Sequence, residues 1–224
     1  MTKNEIIYSV FEKLKIQSDD TDITAEFVSS LVDSKRAMLI KQQYGARPWS
    51  LPVEVKQEIC LDLETANSID GLSCFGKILR TKIKLPNSIK IRAKEGPLNI
   101  RKHDRTQIPI NIVPIERLPY VGHNSFIANM IYASIDYDGK LYLVSNRKTH
   151  LFLESIKVTD IYENPDIAYE LECNTTASTI EAWDQDYPIE SSMADQLINL
   201  IAQELAKTLA MPEDNVNDAE DVRN

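Results

Sequence analysis

Residues 183–212, WDQDYPIESSMADQLINLIAQELAKTLAMP, carry the strongest structural signal in this chain of 224 residues. Beyond Met193 the apolar side chains recur close to the 3.6-residue period that places them along one face of an α-helix. Ser191 or Ser192 is a suitable cap for the start of this helix, and Pro212 ends it. The apolar positions are Leu197, Ile198, Leu200, Ile201, Leu205 and Leu209. Because a stripe of this length must be buried, we expect the helix to pack on its own domain or on a neighbouring subunit.

The residues on either side of this helix also favour a role in assembly. Trp183, Tyr187 and Ile189 precede the cap, where apolar residues pack against the first helical turn. We expect the first half of the helix to pack within the subunit, and the half around Leu205 and Leu209 to contact another subunit. The last twelve residues hold five acids, which predicts a tail that orders only on a neighbour. The predicted partner interface comprises Trp183, Tyr187, Leu197, Ile201, Leu205, Leu209, Glu213 and Asp214.

The N-terminal part of the chain has helical periodicity. Thr2 and Glu5 have the spacing of a capping box, and the apolar residues of 6–14 predict a first helix. A second helix is expected to follow the acidic run at 19–22 and to end at Gly45. A third is predicted to begin at Pro52, with apolar positions spaced by four at Val55, Ile59 and Leu63. Three helices joined by short turns predict a compact antiparallel bundle.

In the middle of the chain the hydrophobic period changes to two, as in strands with one buried face. Residues 81–85 and 89–94 alternate apolar and basic side chains, and the prolines of IPINIVPIERLP (108–119) predict an edge strand. Asp138-Gly139 predicts a hairpin with a type I′ turn. A further strand is expected at 156–162, ended by Asn164-Pro165-Asp166, which can start a short helix.

These patterns together predict an α+β fold with an N-terminal helical bundle, an antiparallel β-rich middle and a long amphipathic C-terminal helix with an acidic tail. The expected boundaries are 1–68 for the bundle, 69–180 for the β-rich region, 181–212 for the lead-in and helix, and 213–224 for the tail.

Cysteine usage and hydropathy bear on where the chain is made. Cys60, Cys74 and Cys173 lie far apart without CxxC spacing, which favours reduced thiols in the cytoplasm over a disulfide framework or a zinc site. The N-terminus lacks the apolar core of a signal peptide. There is also no run of about eighteen apolar residues, so we expect no membrane partner.

The net charge of −9 is distributed unevenly along the chain. Residues 77–105 hold ten basic and two acidic side chains, whereas residues 160–224 hold sixteen acidic and two basic ones. This asymmetry suits head-to-tail contacts between copies or different fields toward different partners, although solvated surfaces explain it equally well. The predicted basic patch, which can contact DNA only without sequence specificity, comprises Lys77, Arg80, Lys82, Lys84, Lys90, Arg92 and Lys94.

The sequence offers little support for catalysis. His103, His123 and His150 are isolated from one another, and the chain contains none of the patterns GxxxxGK[ST], GxGxxG, GxSxG or HExxH. We therefore expect no enzyme activity, no catalytic residues, no metal and no cofactor.

Three stretches resemble virion structural proteins of crAss-like tailed bacteriophages, in particular the ring-forming proteins of the head-to-tail connector. They are DDTDITAEFVSSLVDSKRAMLIKQQYG (19–45), LPVEVKQEICLDLE (51–64) and EAWDQDYPIESSMADQLINLIAQELAKTLAMPEDNVNDAED (181–221). The resemblance implies an adaptor ring beneath a portal at the head-tail junction of the virion, with DNA passing through its lumen and other tail proteins below. A homo-oligomeric ring of about twelve copies would match a portal. The alternative is another tail or neck component, such as a tail hub or completion protein.

Overall fold

The computed structural model describes residues 1–14, 23–47, 50–66, 78–91, 97–102, 110–124, 126–146, 152–173 and 182–210, apart from the side chains of Ala182, Leu209 and Ala210. The chain forms two compact units, Met1–Leu39 with Trp183–Asn224, and Ile40–Ala182. The long helices are α1 (Lys3–Leu14), α2 (Ala25–Tyr44) and α4 (Ser191–Ala210), and α3 (Pro165–Glu170) is short. Helices at both ends of the chain and strands between them confirm the predicted α+β class.

The first unit is built on helices from opposite ends of the chain. The capping box of α1 is confirmed, since the Glu5 amide donates to the Thr2 hydroxyl at 3.1 Å and the Thr2 amide donates to the Glu5 carboxylate at 2.8 Å. Helix α1 lies against α4. The apolar side chains buried from these two helices are Ile6, Ile7, Val10, Met193, Ala194, Leu197, Ile198, Ile201 and Leu205.

The predicted third helix is wrong. A single 3₁₀ turn (Val53–Val55) follows Pro52, and the chain then enters strand β1 (Gln57–Thr65). A spacing of four residues is close to one helical turn and is also two repeats of a strand, so Ile59 and Leu63 fit both periods. Leu61 decides between them, because it lies between these residues and is buried on the same face of the strand.

The second unit is a seven-stranded sheet. Its other strands are β2 (Leu79–Thr81), β3 (Asn99–Lys102), β4 (Ile110–Ile112), β5 (Ile131–Ile135), β6 (Leu141–Val144) and β7 (Ser155–Asp160). The order across the sheet is β3-β7-β1-β2-β6-β5-β4, and β3 and β4 also lie near each other, so the sheet is nearly closed. All pairs are antiparallel, as expected, except the parallel pair of β4 and β5. The long connection at 113–130 allows that parallel crossover.

The sheet has apolar side chains on both faces. The inner core includes Ile59, Leu61, Ile100, Ile131, Leu141, Leu143, Ile156 and Val158. A smaller outer cluster contains Ile78, Leu118, Tyr132, Tyr142 and Val144. Leu118 belongs to the 3₁₀ helix Ile115–Tyr120, which follows β4. This helix therefore covers one part of the outer face. Strand β4 lies at one end of the strand order, in agreement with the edge strand that the prolines of 108–119 predicted.

The predicted hairpin at Asp138-Gly139 joins β5 to β6, but its turn differs from the predicted type I′. The Gly139 amide donates to the Asp136 carbonyl at 2.9 Å, which places Tyr137 and Asp138 at the centre of the turn. Gly139 follows with a φ of 76°. Glycine adopts this left-handed conformation without the steric cost of a side chain. Gly139 therefore follows the two central residues of the turn, whereas the sequence pattern had placed it at the second central position.

The alternating basic segments are less regular than predicted. Strand β2 ends at Thr81, the side chain of Ile83 is exposed, and residues 89–91 make no strand. Ser88 forms an isolated bridge with Tyr162, and Ile89 donates its amide to the Ile161 carbonyl at 2.8 Å. Alternation in the sequence does not supply a pairing partner, and a strand forms only where a neighbouring strand accepts its hydrogen bonds. The predicted positions 92–94 lie outside the described residues.

A disulfide joins Cys60 and Cys173, so the expectation of reduced thiols is wrong for these two residues. Cys60 lies in β1 and its amide donates to the Leu171 carbonyl at 2.8 Å, while Ile59 bridges Glu172. These contacts bring together two cysteines that are 113 residues apart in the chain. Sequence spacing alone could not reveal their proximity. Cys74 lies outside the described residues.

Reduction of this disulfide is expected to destabilise the second unit by about 2–4 kcal/mol, because the cross-link restricts the unfolded chain over a long loop. The measurement is the urea unfolding midpoint with and without a reducing agent. Cys60→Ser with Cys173→Ser should resemble the reduced wild type and should no longer respond to the reductant. Cys74→Ser serves as the control and should keep the wild-type response. An unchanged wild-type midpoint after complete reduction would contradict a stabilising role for the disulfide.

Candidate interaction sites

Part of the predicted basic patch is neutralised by acids of strand β1. The guanidinium of Arg80 contacts Glu64 at 2.7 Å, and the ammonium of Lys82 contacts Asp62 at 3.2 Å. The hydrogen bond from Arg80 is the main cause of a lowered pKa for Glu64. A charge count along the chain missed this pairing because the acids come from another strand. Of the other predicted residues, Lys84 and Lys90 are exposed, and Lys77, Arg92 and Lys94 lie outside the described residues.

The lead-in to α4 encloses a buried cluster of charges. Lys3 is 1% exposed and its ammonium contacts Asp33 at 2.9 Å. The same ammonium lies 6.0 Å from the ring centroids of both Trp183 and Tyr187. The hydroxyl of Tyr187 donates to Asp33 at 2.7 Å. Trp183 and Tyr187 thus pack inside their own unit, around a lysine that sequence periodicity did not single out.

A second cation, Arg36, lies fully buried beside Tyr187. Its Nε donates to the Pro188 carbonyl at 2.8 Å, and its guanidinium carbon lies 5.5 Å from the ring centroid of Tyr187. The lead-in is therefore held by ion pairing, cation–π contacts and main-chain hydrogen bonds together.

The apolar face of α4 packs largely within its own subunit. Leu197 and Ile201 are fully buried, and Leu205 is 2% exposed. The expectation that the helix half around Leu205 contacts another subunit is therefore corrected for Leu205, since a side chain already buried in its own subunit has little surface left to offer. The side chain of Leu209 and the tail residues Glu213 and Asp214 lie outside the described residues.

Two exposed aromatic residues that the sequence pattern had not indicated as a site lie in the connection between β4 and β5. Tyr120 is 80% exposed and Phe126 is 87% exposed. We call residues 119–124 and 126–127 the aromatic loop. Exposed large aromatic side chains are typical of interaction sites. The available signal was two aromatic residues within a turn-rich stretch, PYVGHNSF at 119–126.

The aromatic loop is anchored to the sheet. The Asn146 side chain donates to the Gly122 carbonyl, and the Tyr132 hydroxyl donates to the Ile127 carbonyl at 3.2 Å. Gly122 has a φ of 83°, and a Cβ at this position would lie 3.0 Å from the Asn146 amide nitrogen. Because Val121 and Ile127 also pack on the outer cluster, Tyr120 and Phe126 project from a supported base.

A cavity of about 730 Å³ lies in the second unit. Its apolar lining includes Leu85, Ile89, Ile112, Ile115, Ile135 and Ile161. Asp160 also lines it, although this side chain is only 5% exposed. We call this the Asp160 cavity. Volume and lining are in the range of sites that bind small molecules or the side chains of a partner.

Asp160 occupies a position of β7 whose neighbours on the same face are Ile156 and Val158. Its Oδ1 accepts a hydrogen bond from the Ile161 amide at 2.9 Å, whereas its Oδ2 accepts none within the described part of the chain. Burial raises the pKa of Asp160 to about 6, although the Ser88 hydroxyl and the amides of Ile161 and Leu98 partly oppose this. Asp160 is an acid at a position of the predicted strand 156–162 where the alternation calls for an apolar residue. This was the sequence signal that could have identified Asp160 as a candidate site.

Asp160→Asn is expected to stabilise the protein at pH 8 by about 2–3 kcal/mol, since each unit of pKa shift is about 1.36 kcal/mol. The raised pKa means that the folded state holds a proton that the unfolded state releases between about pH 4 and pH 6. The wild type therefore loses stability as pH rises through this window, and asparagine avoids the loss. The measurement is the urea unfolding free energy of both proteins from pH 4 to pH 8. A difference between the two proteins that does not change with pH would contradict the raised pKa.

The residues that the structure describes include no group of three or more His, Cys, Asp or Glu side chains arranged to hold a metal ion. Within the same residues, no helix is both long enough and apolar enough to cross a membrane. The features described above are packing surfaces, charged clusters and the Asp160 cavity.

Comparison with known proteins identifies the setting of these surfaces. The family model described as phage tail ring protein 2 matches residues 5–222. The chain belongs to this family. It is 36% identical over 223 residues to Ring protein 2 of Bacteroides phage crAss001, covering 99% of this chain and 97% of that protein. The resemblance drawn from the sequence is confirmed, and this ring protein is a structural ring component of the virion of a crAss-like phage.

Proposed function

We propose that this ring protein is an adaptor subunit of the head-to-tail connector, in a ring below the portal through which DNA passes. The observation that carries the proposal is its similarity over nearly its full length to a protein named as a ring protein of a crAss-like phage. In this role the ring also docks other tail proteins. Lys84 and Lys90, which are exposed, are candidates for contacts with DNA phosphates that do not depend on sequence.

The proposed ring is closed and cyclic, with about twelve copies to match a portal. Each copy uses two different faces, because a ring larger than a dimer needs head-to-tail contacts between unlike surfaces. The basic run at 77–105 and the acidic run at 160–224 favour such contacts over a two-fold dimer. Because Arg80 and Lys82 are paired within the subunit, we propose that the other exposed basic residues and the acidic tail make the contacts between copies.

The test is a density map of the intact virion, combined with native mass spectrometry of the purified chain mixed with the portal protein. A ring of this chain in contact with the portal, with DNA in its lumen, would support the proposal. A ring farther down the tail, or a location in a tail hub, would contradict the adaptor position and favour the alternative of another tail or neck component. An isolated monomer in the particle would contradict the ring itself.

Deletion of residues 213–224 is expected to leave the subunit folded and to weaken ring assembly or portal binding. The reason is that the tail is strongly acidic and lacks the apolar periodicity needed to pack in a core. Circular dichroism melting measures folding, and native mass spectrometry measures assembly. A variant in which the five tail acids become Asn or Gln separates charge from length. A loss of folded protein upon deletion would instead indicate that the tail belongs to the core.

A further inference from the structure

The aromatic loop and the Asp160 cavity lie near opposite ends of strand β5. The loop precedes the strand, and its Ile127 carbonyl accepts the Tyr132 hydroxyl from the start of β5. Ile135, the last residue of β5, lines the cavity. Tyr120 is 80% exposed and Phe126 is 87% exposed, so neither side chain fills the cavity of its own subunit.

The connection from β4 also leads from the cavity to the aromatic loop. Ile115 lines the cavity and begins the 3₁₀ helix that ends at Tyr120. The five steps from Ile115 to Tyr120 advance by about 10 Å along a 3₁₀ helix. The subunit therefore presents two exposed aromatic side chains in the aromatic loop and a lined cavity elsewhere, both within the unit Ile40–Ala182.

The chemistry of the two surfaces is complementary. The apolar lining suits aromatic rings, which gain from burial of their large surface. Asp160 lines the cavity among these apolar side chains, and the hydroxyl of a tyrosine is a suitable hydrogen-bond donor for its carboxylate. Phe126 brings only apolar surface, whereas Tyr120 brings a ring and the required donor.

We propose that Tyr120 and Phe126 of one copy insert into the Asp160 cavity of the next copy, with the Tyr120 hydroxyl donating to Asp160. This inference deepens the proposed function and rests on its ring of identical copies. A contact between two unlike surfaces of one chain is heterologous, and repetition of such a contact closes a ring when the rotation permits. The family to which the chain belongs is one of ring proteins, which supports a second copy as the occupant.

The test measures self-association of the full-length chain by sedimentation over a range of concentrations. Tyr120→Ala with Phe126→Ala removes the inserted side chains, and Ile135→Trp fills the cavity. Tyr137→Asp provides a second cavity variant, because Tyr137 lines the cavity but is 94% exposed and its change spares the core. We expect each variant to weaken association at least about tenfold, as for residues at the centre of an interface. Tyr120→Phe, which removes only the hydroxyl, should weaken it less.

Mixing gives the most discriminating result. An equimolar mixture of the loop variant and a cavity variant retains one intact contact, so it should form dimers but no larger species. Phe152→Ala alters an exposed aromatic residue outside both surfaces and should associate like the wild type. Wild-type association of the loop variant, or equal weakening by Phe152→Ala, would overturn the inference.

A density map of the assembled ring in the virion is the second, decisive measurement. It tests the contact even if the purified chain is monomeric. Tyr120 and Phe126 of one copy should lie within the Asp160 cavity of the adjacent copy. A ring below the portal with these side chains elsewhere overturns this inference and leaves the proposed function intact. A ring joined by this contact but located elsewhere in the tail overturns only the adaptor position.

Discussion

Asp33→Asn is expected to lower the free energy of unfolding by about 3–5 kcal/mol, the usual cost of removing one partner from a buried ion pair. Its carboxylate contacts the buried Lys3 ammonium at 2.9 Å and accepts the Tyr187 hydroxyl at 2.7 Å. Arg36, also buried, lies beside the same tyrosine. Asparagine keeps the size of the side chain but removes the negative charge that compensates the buried Lys3 ammonium. Urea unfolding followed by circular dichroism measures the loss.

Asp62→Asn is the matched control for this change. Its partner Lys82 contacts it at 3.2 Å, but both side chains are more than half exposed. Water and salt screen such surface pairs, whose contribution to stability is about 0–1 kcal/mol. A loss at Asp33 no larger than that at Asp62 would show that the buried cluster does not hold the lead-in to α4.

Ile201→Ala is expected to cost about 2–5 kcal/mol, the typical range for truncation of a buried Ile or Leu. Ile201 is fully buried on α4, the helix that lies against α1. The effect should appear in the isolated chain as a lower melting temperature, without any requirement for assembly. Leu205→Ala should behave in the same way, because Leu205 is buried in the subunit as well.

Gln203→Ala tests the opposite, exposed face of α4. A surface substitution of this kind usually changes stability by less than about 0.5 kcal/mol. If Leu205→Ala spares the melting temperature but abolishes assembly, the original expectation of an intermolecular half of the helix holds and the packing described here does not. If all three variants lose stability equally, the cost comes from the helix itself and not from its buried face.

These outcomes bear on how the subunit enters a ring. A helix buried in its own unit stabilises the subunit before assembly, so the contacts between copies must come from other surfaces. The aromatic loop and the acidic tail are the surfaces that we propose for this purpose. Loss of assembly without loss of folding should therefore follow from changes at Tyr120 and Phe126, and not from changes at Ile201.

The sequence predicted α1, α2 and α4 because apolar residues recur with a helical period over each of them. Helix α1 also has a capping box formed by residues close together in the chain. The sequence also predicted the hairpin at Gly139 and a short helix starting at Asn164-Pro165-Asp166, where α3 begins and Asn164 accepts the Asp166 amide at 3.0 Å. Resemblance to crAss-like ring proteins was also available from the sequence. The helices, the hairpin and the start of α3 depend on residues within a few positions of each other, so a linear reading captures them.

Tertiary structure alone decided the features that depend on distant residues. Strand β1 was confused with a helix because a spacing of four fits both periods, and its pairing with β2 and β7 buries Leu61 on the same face as Ile59 and Leu63. Strand pairing brings together the two cysteines of the disulfide and places the acids of β1 beside Arg80 and Lys82. It also holds the aromatic loop apart from the Asp160 cavity. Because strand pairing is nonlocal, the chain's local pattern determines its helices and turns, whereas the closure of the sheet determines which side chains meet and which are left for a partner.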